Sequence, residues 1–199
     1  MSYDVHRLRL WIDCAEQQFR SHLEALNALD AAIGDGDHGT NLTRGFGQVL
    51  NKIKTNPPST PAGLFKQIGM TLISSVGGAS GPLYGTFFLE AAKAAGDQPQ
   101  LSEITLAQCL QAGLMGIQKL GKAEIGDKTM VDALSPAVAS LNASSDFAEA
   151  ALKAHDGLAT TIPLVAHKGR ASYLGERAIG HADPGATSSA MLFDCLAGI

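Results

Sequence analysis

The sequence predicts an all-α protein, an antiparallel up-and-down bundle of eight helices in a single domain spanning residues 1–199. Three observations predict it. Apolar residues recur at intervals of three and four along most of the chain. No stretch alternates cleanly, and β-branched residues are scattered among many Ala and Leu, so strand signals are weak. The chain is 45% hydrophobic and 17% charged, enough to bury a sizeable core and too apolar for disorder.

The first apolar stripe is Leu8, Trp11, Ile12, Ala15, Phe19, Leu23 and Leu26, flanked by Arg7, Arg9, Glu16 and Arg20. Leu42, Phe46, Val49, Leu50 and Ile53 form the second, and Leu64, Ile68, Leu72 and Val76 the third. The fourth is Leu83, Phe87, Ala91 and Ala94. The fifth starts at Ser102, a good N-cap with Thr105 three residues on, and carries Leu106, Leu110, Leu114 and Ile117. The sixth runs from Thr129 to Leu141, the seventh from Asp146 to His167 and the eighth from Asp183 to Leu196. Pro136 and Pro163 fall inside helical patterns and should kink or restart their helices.

The connections sort into two kinds. After helices two, four and six come "TNPPSTP", "GDQPQL" and "ASS", ordinary turn sequences. After helices one, three, five and seven come "GDGDHG", "GGASGPLYG", "GKAEIGDK" and "GRASYLGERAIGHADPG". These hold most of the glycines and unusual polar residues. Alternate connections of an up-and-down bundle lie at the same end. The four glycine-rich loops should therefore share one rim. Glycines as helix C-caps explain single occurrences. They do not explain Gly77-Gly78 followed by Gly81 and Gly85.

Charge and cysteines narrow the function class. The net charge is −4 and no Lys/Arg run appears, which argues against a nucleic-acid partner. There is no basic segment followed by an apolar core at the N-terminus, and no apolar run long enough to span a bilayer. Cys14, Cys109 and Cys195 are odd in number, far apart and set in apolar helical patterns. They read as reduced thiols of a cytoplasmic protein.

The chemistry concentrates on the predicted rim. Asp30, Asp35 and Asp37 are hard oxygen donors suited to Mg²⁺ or Ca²⁺, without the spacing of an EF-hand. Three carboxylates so close can serve two Mg²⁺ ions, a pairing used in phosphoryl transfer. A solvated Asp-Gly turn is the plain alternative. His38 suits a phosphate, an aspartate or a metal. Thr40 and Asn41 are N-cap types at the opening of the second helix, where free N–H groups favour an anion. The 77–86 loop lets backbone N–H groups approach a phosphate, with Ser80 as a hydroxyl donor, although it is no Walker A motif. Leu83 and Met130 can pack on a flat ring or simply fill core. Lys122, Lys128, Arg170 and Arg177 bring positive charge, and Arg177 can clamp a phosphate or pair with Glu176. Asp183 and Pro184 fit N-cap and N1 of the last helix, and Gly185 beside them leaves room for a ligand. Acids for metal, glycine loops for phosphates, cations for balance and apolar residues for a base add up to a Mg-nucleotide site.

At this point "GDGDHGTNL", "GGASGPLYG", "GDKTMVDAL" and "GRASYLGERAIGHADPGATS" resemble, in order, the four signature loops of the DhaL family of dihydroxyacetone kinases. The resemblance covers nearly the whole chain. It implies an eight-helix barrel with the nucleotide at one end. It implies that Asp30, Asp35 and Asp37 hold two Mg²⁺ ions. His38, Thr40, Asn41, Ala79, Ser80 and Thr86 would surround the phosphates. Leu83, Gly121, Met130 and Pro184 would enclose the adenosine, with Arg177, Asp183 and Gly185 nearby. Gly39, Gly78 and Thr129 complete the nucleotide set, and Arg177 joins the three aspartates in catalysis. Leu42 stands where many relatives carry Met, a packing change only.

The resemblance further implies a subunit of the phosphotransferase-dependent system. Tightly bound ADP/ATP would act as coenzyme, passing its γ-phosphoryl to dihydroxyacetone on a DhaK subunit and being rephosphorylated by the phosphohistidine protein DhaM. The alternatives are an ATP-dependent subunit with exchangeable nucleotide, and a nucleotide sensor that binds a transcription regulator.

Overall fold

A computed structural model describes all residues, Met1–Ile199. The elements are β1 (Ser2–Asp4), α1 (Val5–Ser21), α2 (Leu23–Ile33), α3 (His38–Thr55), α4 (Pro61–Ser75), α5 (Ser80–Ala95), β2 (Gln100–Ser102), α6 (Glu103–Gly121), α7 (Met130–Ser144), α8 (Phe147–Thr161), a 3₁₀ segment (Arg170–Ala178) and α9 (Pro184–Ala197). Counting α1 and α2 as one broken helix leaves the eight that the stripes predict. Neighbours in the chain pack side by side from α3 to α9, and α9 packs on α1, which packs on α3. The ring of helices is thereby closed.

The predicted stripes face inward. Leu8, Ile12, Phe19, Leu42, Phe46, Leu64, Ile68 and Leu106 belong to one cluster of 44 buried residues. Trp11, Phe65, Phe87 and Phe88 meet in tilted and edge-on pairs at its middle. The Trp11 indole donates to the Leu192 carbonyl at 2.8 Å, tying α1 to α9. Each such side chain contributes about 1.5–3 kcal/mol of burial free energy. Helices α4 and α5 approach closely: a Cβ at Gly69 would lie 2.7 Å from the Gly85 carbonyl, and one at Gly85 would lie 2.9 Å from the Gly69 carbonyl. Only paired glycines permit it.

Several expectations need correction. The first helix breaks at His22, whose backbone (φ −109°, ψ 17°) leaves the helical region, with Ser21 Oγ and His22 Nδ1 adding bonds to the Gln18 carbonyl there. The seventh ends at Thr161, before Pro163, whose ring and missing N–H forbid continuation to His167. Pro136, by contrast, does not restart its helix; α7 runs through it. The ladder partner that Pro136 denies is the Asp132 carbonyl, and Gly157 of α8 packs directly over that oxygen. Thr40 and Asn41 do not cap α3, which begins earlier with Asp37 as its flanking residue. The strands were not expected. Tyr3 pairs with Leu101, and Arg7 adds bonds to the carbonyls of Ser2 and Ile199, at the end carrying the ordinary turns. The cysteine reading also changes: Cys14 and Cys195 form a disulfide, and Cys109 alone is free. They are 181 residues apart in sequence, but α1 and α9 are neighbours, with Cα atoms 5.6 Å apart. No helix is long and apolar enough to cross a membrane.

Candidate functional site

The four glycine-rich connections meet at one end, around a cavity of about 390 Å³. In the first, a Cβ at Gly34 would collide with the Asp30 carboxylate, so glycine lets that side chain fold over the loop. Gly36 takes a left-handed turn at φ 78°. The turn brings the N–H groups of Asp37 and His38 to Asp30 Oδ2, at 2.9 and 3.2 Å. Oxygens of Asp30, Asp35 and Asp37 lie within 4.8 Å of one another. This hard, charged donor set suits Mg²⁺. Backbone donors fix one oxygen of Asp30 and leave the other for a cation. Arg170 Nη1 lies 2.9 Å from Asp35 Oδ2.

The second loop leads into α5, which starts at Ser80 without a side-chain cap. An uncapped helix start offers N–H donors to an anion. Gly77 and Gly78 precede it on the cavity wall, and a Cβ at Gly78 would meet nothing. Ser80 Oγ lies 3.2 Å from His38 Nδ1, joining the first two loops.

The third loop is braced by Asp132, which accepts from the N–H groups of Gly126 (2.6 Å) and Thr129 (2.7 Å) and so caps α7. Lys128 is 1% exposed and crosses to the fourth loop. Its Nζ donates to the carbonyls of Thr161 and His181, both at 2.7 Å, and Leu164 at 3.2 Å. It is a strut rather than a free cation. Asp183 caps α9, accepting from the Ala186 N–H at 2.7 Å, and Pro184 opens the helix. A Cβ on Gly185 would be 3.0 Å from Asp183 and 3.4 Å from Met130, so glycine keeps the third and fourth loops close.

Burial sets the ionisation here. It pulls His38 down to about 4, against the opposing influence of Asp30 and Asp37, so the ring is neutral near pH 7. It pushes the Asp183 carboxyl up to about 7, with the Ala186 N–H opposing and Asp132 adding. It lowers Lys128, against Asp183. Tyr84 is pushed up to about 12, again by burial.

Of the residues expected at the site, Asp30, Asp35, Asp37, His38, Gly78, Ala79, Ser80, Leu83, Gly121, Thr129, Met130, Asp183, Pro184 and Gly185 line the cavity. Five do not. Gly39 lies against the Leu23 carbonyl, where a Cβ would collide, and serves the α2–α3 contact. Thr40 exchanges two bonds with the Asn27 side chain, at 2.9 and 3.0 Å. The Asn41 side chain accepts from Arg44 at 2.6 Å beside Gly77. Thr86 turns its methyl towards Gly116 of α6. Arg177 is exposed, its nearest partner the Leu174 carbonyl at 3.4 Å. Arg170 stands at the carboxylates instead. Ile117, Leu120 and Tyr84 also line the cavity and were not singled out. All three look like ordinary helix core in sequence. Only their position in the last or first turn beside a glycine loop distinguishes them.

The cavity lining holds two kinds of surface: carboxylates, an uncapped helix start and Arg170, and the apolar side chains of Leu83, Ile117, Leu120, Met130 and Pro184.

The chain is similar to proteins of one family. The model of the DAK2 domain matches residues 32–198. The "PEP-dependent dihydroxyacetone kinase, ADP-binding subunit DhaL" of Escherichia coli (strain K12) is 46% identical, over 99% of this chain and 98% of that protein. The "PEP-dependent dihydroxyacetone kinase 1, ADP-binding subunit DhaL" of Listeria innocua serovar 6a is 44% identical, over 98% and 97%. Crystal structures of the dihydroxyacetone kinase of C. freundii, native and in complex with AMP-PNP and Mg²⁺, superpose with a TM-score of 0.77 at 30% identity. The match covers 94% of this chain and spans about a third (33%) of that one. The chain belongs to the DAK2-domain family, in its DhaL branch.

Proposed function

We propose that this chain is the nucleotide-binding subunit of a phosphoenolpyruvate-dependent dihydroxyacetone kinase. ADP stays in the cavity as a coenzyme. Once phosphorylated, it gives its γ-phosphoryl to dihydroxyacetone held on a DhaK-type subunit, and a DhaM-type phosphohistidine protein restores the triphosphate. The observation that carries this reading is one cavity lined both by the three carboxylates with an uncapped helix start and by apolar side chains such as Leu83 and Met130. A nucleotide calls for both kinds of surface, having charged phosphates and a flat base. Identity of 44–46% to the DhaL subunits, against 30% to the C. freundii kinase, supports the phosphoenolpyruvate-dependent kind.

Each residue has a part in this proposal. Asp30, Asp35 and Asp37 would hold two Mg²⁺ ions, which when bound supply positive charge between carboxylates and phosphate oxygens. The N–H groups at the start of α5 donate to phosphate, with Gly77 and Gly78 leaving the backbone open to close approach. Arg170 adds charge, in the place expected for Arg177. Leu83 and Met130 take the base and exclude water from that side. His38, being neutral, orients rather than carries charge. The contribution to catalysis is positioning and charge neutralisation.

The test is retention and turnover. Purified protein dialysed against Mg²⁺ should keep about one ADP per chain, and Asp35→Asn or Asp37→Asn should lose it while remaining helical. Mixed with DhaK-type and DhaM-type proteins, it should phosphorylate dihydroxyacetone. Free exchange of the bound nucleotide with ATP would overturn the coenzyme role in favour of an ATP-using subunit. No turnover in the complete mixture would favour a sensor.

A further inference from the structure

A chain of side-chain hydrogen bonds runs from the cavity into the core. Ser80 Oγ is 3.2 Å from His38 Nδ1, and His38 Nε2 is 2.9 Å from Ser188 Oγ. Ser188 Oγ is 2.7 Å from the Tyr84 hydroxyl and 3.1 Å from the Gly185 carbonyl. The Tyr84 hydroxyl is 3.0 Å from Ser189 Oγ. Ser188 and Ser189 are fully buried, Tyr84 is 1% exposed and His38 7%. Four polar groups packed this deeply among apolar helices are costly unless each is satisfied. The chain joins α3, α5 and α9, and so ties three of the four rim loops together.

Distances suggest an order for the chain. A carbonyl only accepts, and that of Gly185 lies nearer to Ser188 Oγ (3.1 Å) than to the Tyr84 hydroxyl (3.5 Å), so the Ser188 proton is assigned to Gly185. Ser188 Oγ is then left to accept from both His38 and Tyr84. Both ring nitrogens of His38 face hydroxyls and neither faces a carboxylate, so a single ring proton satisfies the pair, and on Nε2 it donates to Ser188. Nδ1 is therefore a lone pair, and the Ser80 hydroxyl donates to it. The Tyr84 hydroxyl donates to Ser188 and accepts from Ser189.

We propose that Ser188 is a positioning residue that fixes His38 in the Nε2–H tautomer, and that this tautomer in turn directs the Ser80 hydroxyl at the mouth of α5. Tyr84 and Ser189 complete the oxygen environment of Ser188 without setting the tautomer. The consequence at the cavity is specific. With its proton committed to His38, Ser80 Oγ turns its lone pairs to the cavity, and an anion there is met by backbone N–H groups instead. The effect on nucleotide rests on the function proposed above; the tautomer does not.

The experiment is ¹⁵N NMR of the imidazoles in the intact protein, assigned with His38→Gln, without metal or nucleotide. The wild type should show His38 protonated at Nε2 and bare at Nδ1. Ser188→Ala should move the proton to Nδ1, where Ser80 is the remaining acceptor, and weaken Mg-ADP binding about tenfold, the usual scale for one buried hydrogen bond. Tyr84→Phe should leave the tautomer as in the wild type. A wild-type His38 protonated at Nδ1 overturns the proposal, as does a Ser188→Ala protein whose tautomer is unchanged. If Ser188→Ala does not fold, the wild-type and Tyr84→Phe spectra still decide. If the wild type binds no ADP, the proposed function fails while the tautomer is still read directly.

Discussion

Replacing Asp183 by asparagine should make the protein more stable, and only above a defined pH. Burial pushes this carboxyl from an ordinary 3.8 up to about 7. A raised folded-state value means that the fold favours the protonated acid. Its stabilising contribution is complete below about pH 4. It is lost progressively as the pH climbs, because the unfolded chain ionises freely and the folded one cannot. Each pH unit of that interval is about 1.4 kcal/mol, so the loss approaches about 4 kcal/mol near pH 7 and then levels off. Asparagine keeps an oxygen for the Ala186 N–H, so the cap survives. Urea unfolding of metal-free, nucleotide-free protein from pH 4 to 9 would read the effect. The two proteins should coincide near pH 4, and the variant should lead by about 4 kcal/mol at pH 8. A gap that stays constant with pH would refute the reasoning.

Two further outcomes are expected. Arg170→Gln removes the partner of Asp35, and both side chains are exposed, so the pair is worth little. Without nucleotide, Mg²⁺ should bind more tightly by up to about fivefold in a low-salt calorimetric titration, and weaker binding would show that Arg170 does not compete for the carboxylate. Thiol labelling should find no fast-reacting cysteine in the folded protein, because Cys109 is buried and pushed up to about 12. Unfolding without reductant should release one thiol and with reductant three; three without reductant would exclude the Cys14–Cys195 bond.

The helices were legible because burial leaves a 3.6-residue imprint, as in the run from Leu8 to Phe19. The meeting of four loops was legible from their composition and from the alternation of a bundle. What escaped the sequence depends on rotation and on chain path. Thr40 and Asn41 differ from His38 by a fraction of a turn, and that fraction turns them to Asn27 and Arg44. Arg170 and Arg177 sit in one glycine-rich segment. The 3₁₀ turn and Gly175 (φ 58°) decide which of them reaches Asp35, and no periodicity encodes that. Ser188 and Ser189 resemble filler in an Ala-rich helix until Tyr84 and His38 arrive from other elements.

α9 has a consequence for how the molecule is made. It closes the ring between α1 and α8 and brings Asp183, Gly185 and Ser188 to the rim. On the ribosome it is the last of these helices to emerge. Before it docks, Trp11 and His38 each lack their partner and the cavity lacks a wall. The nascent chain thus displays three aspartates well before it has a chamber to enclose an anion beside them. A ligand that needs the whole chamber is enclosed only once the ring is complete.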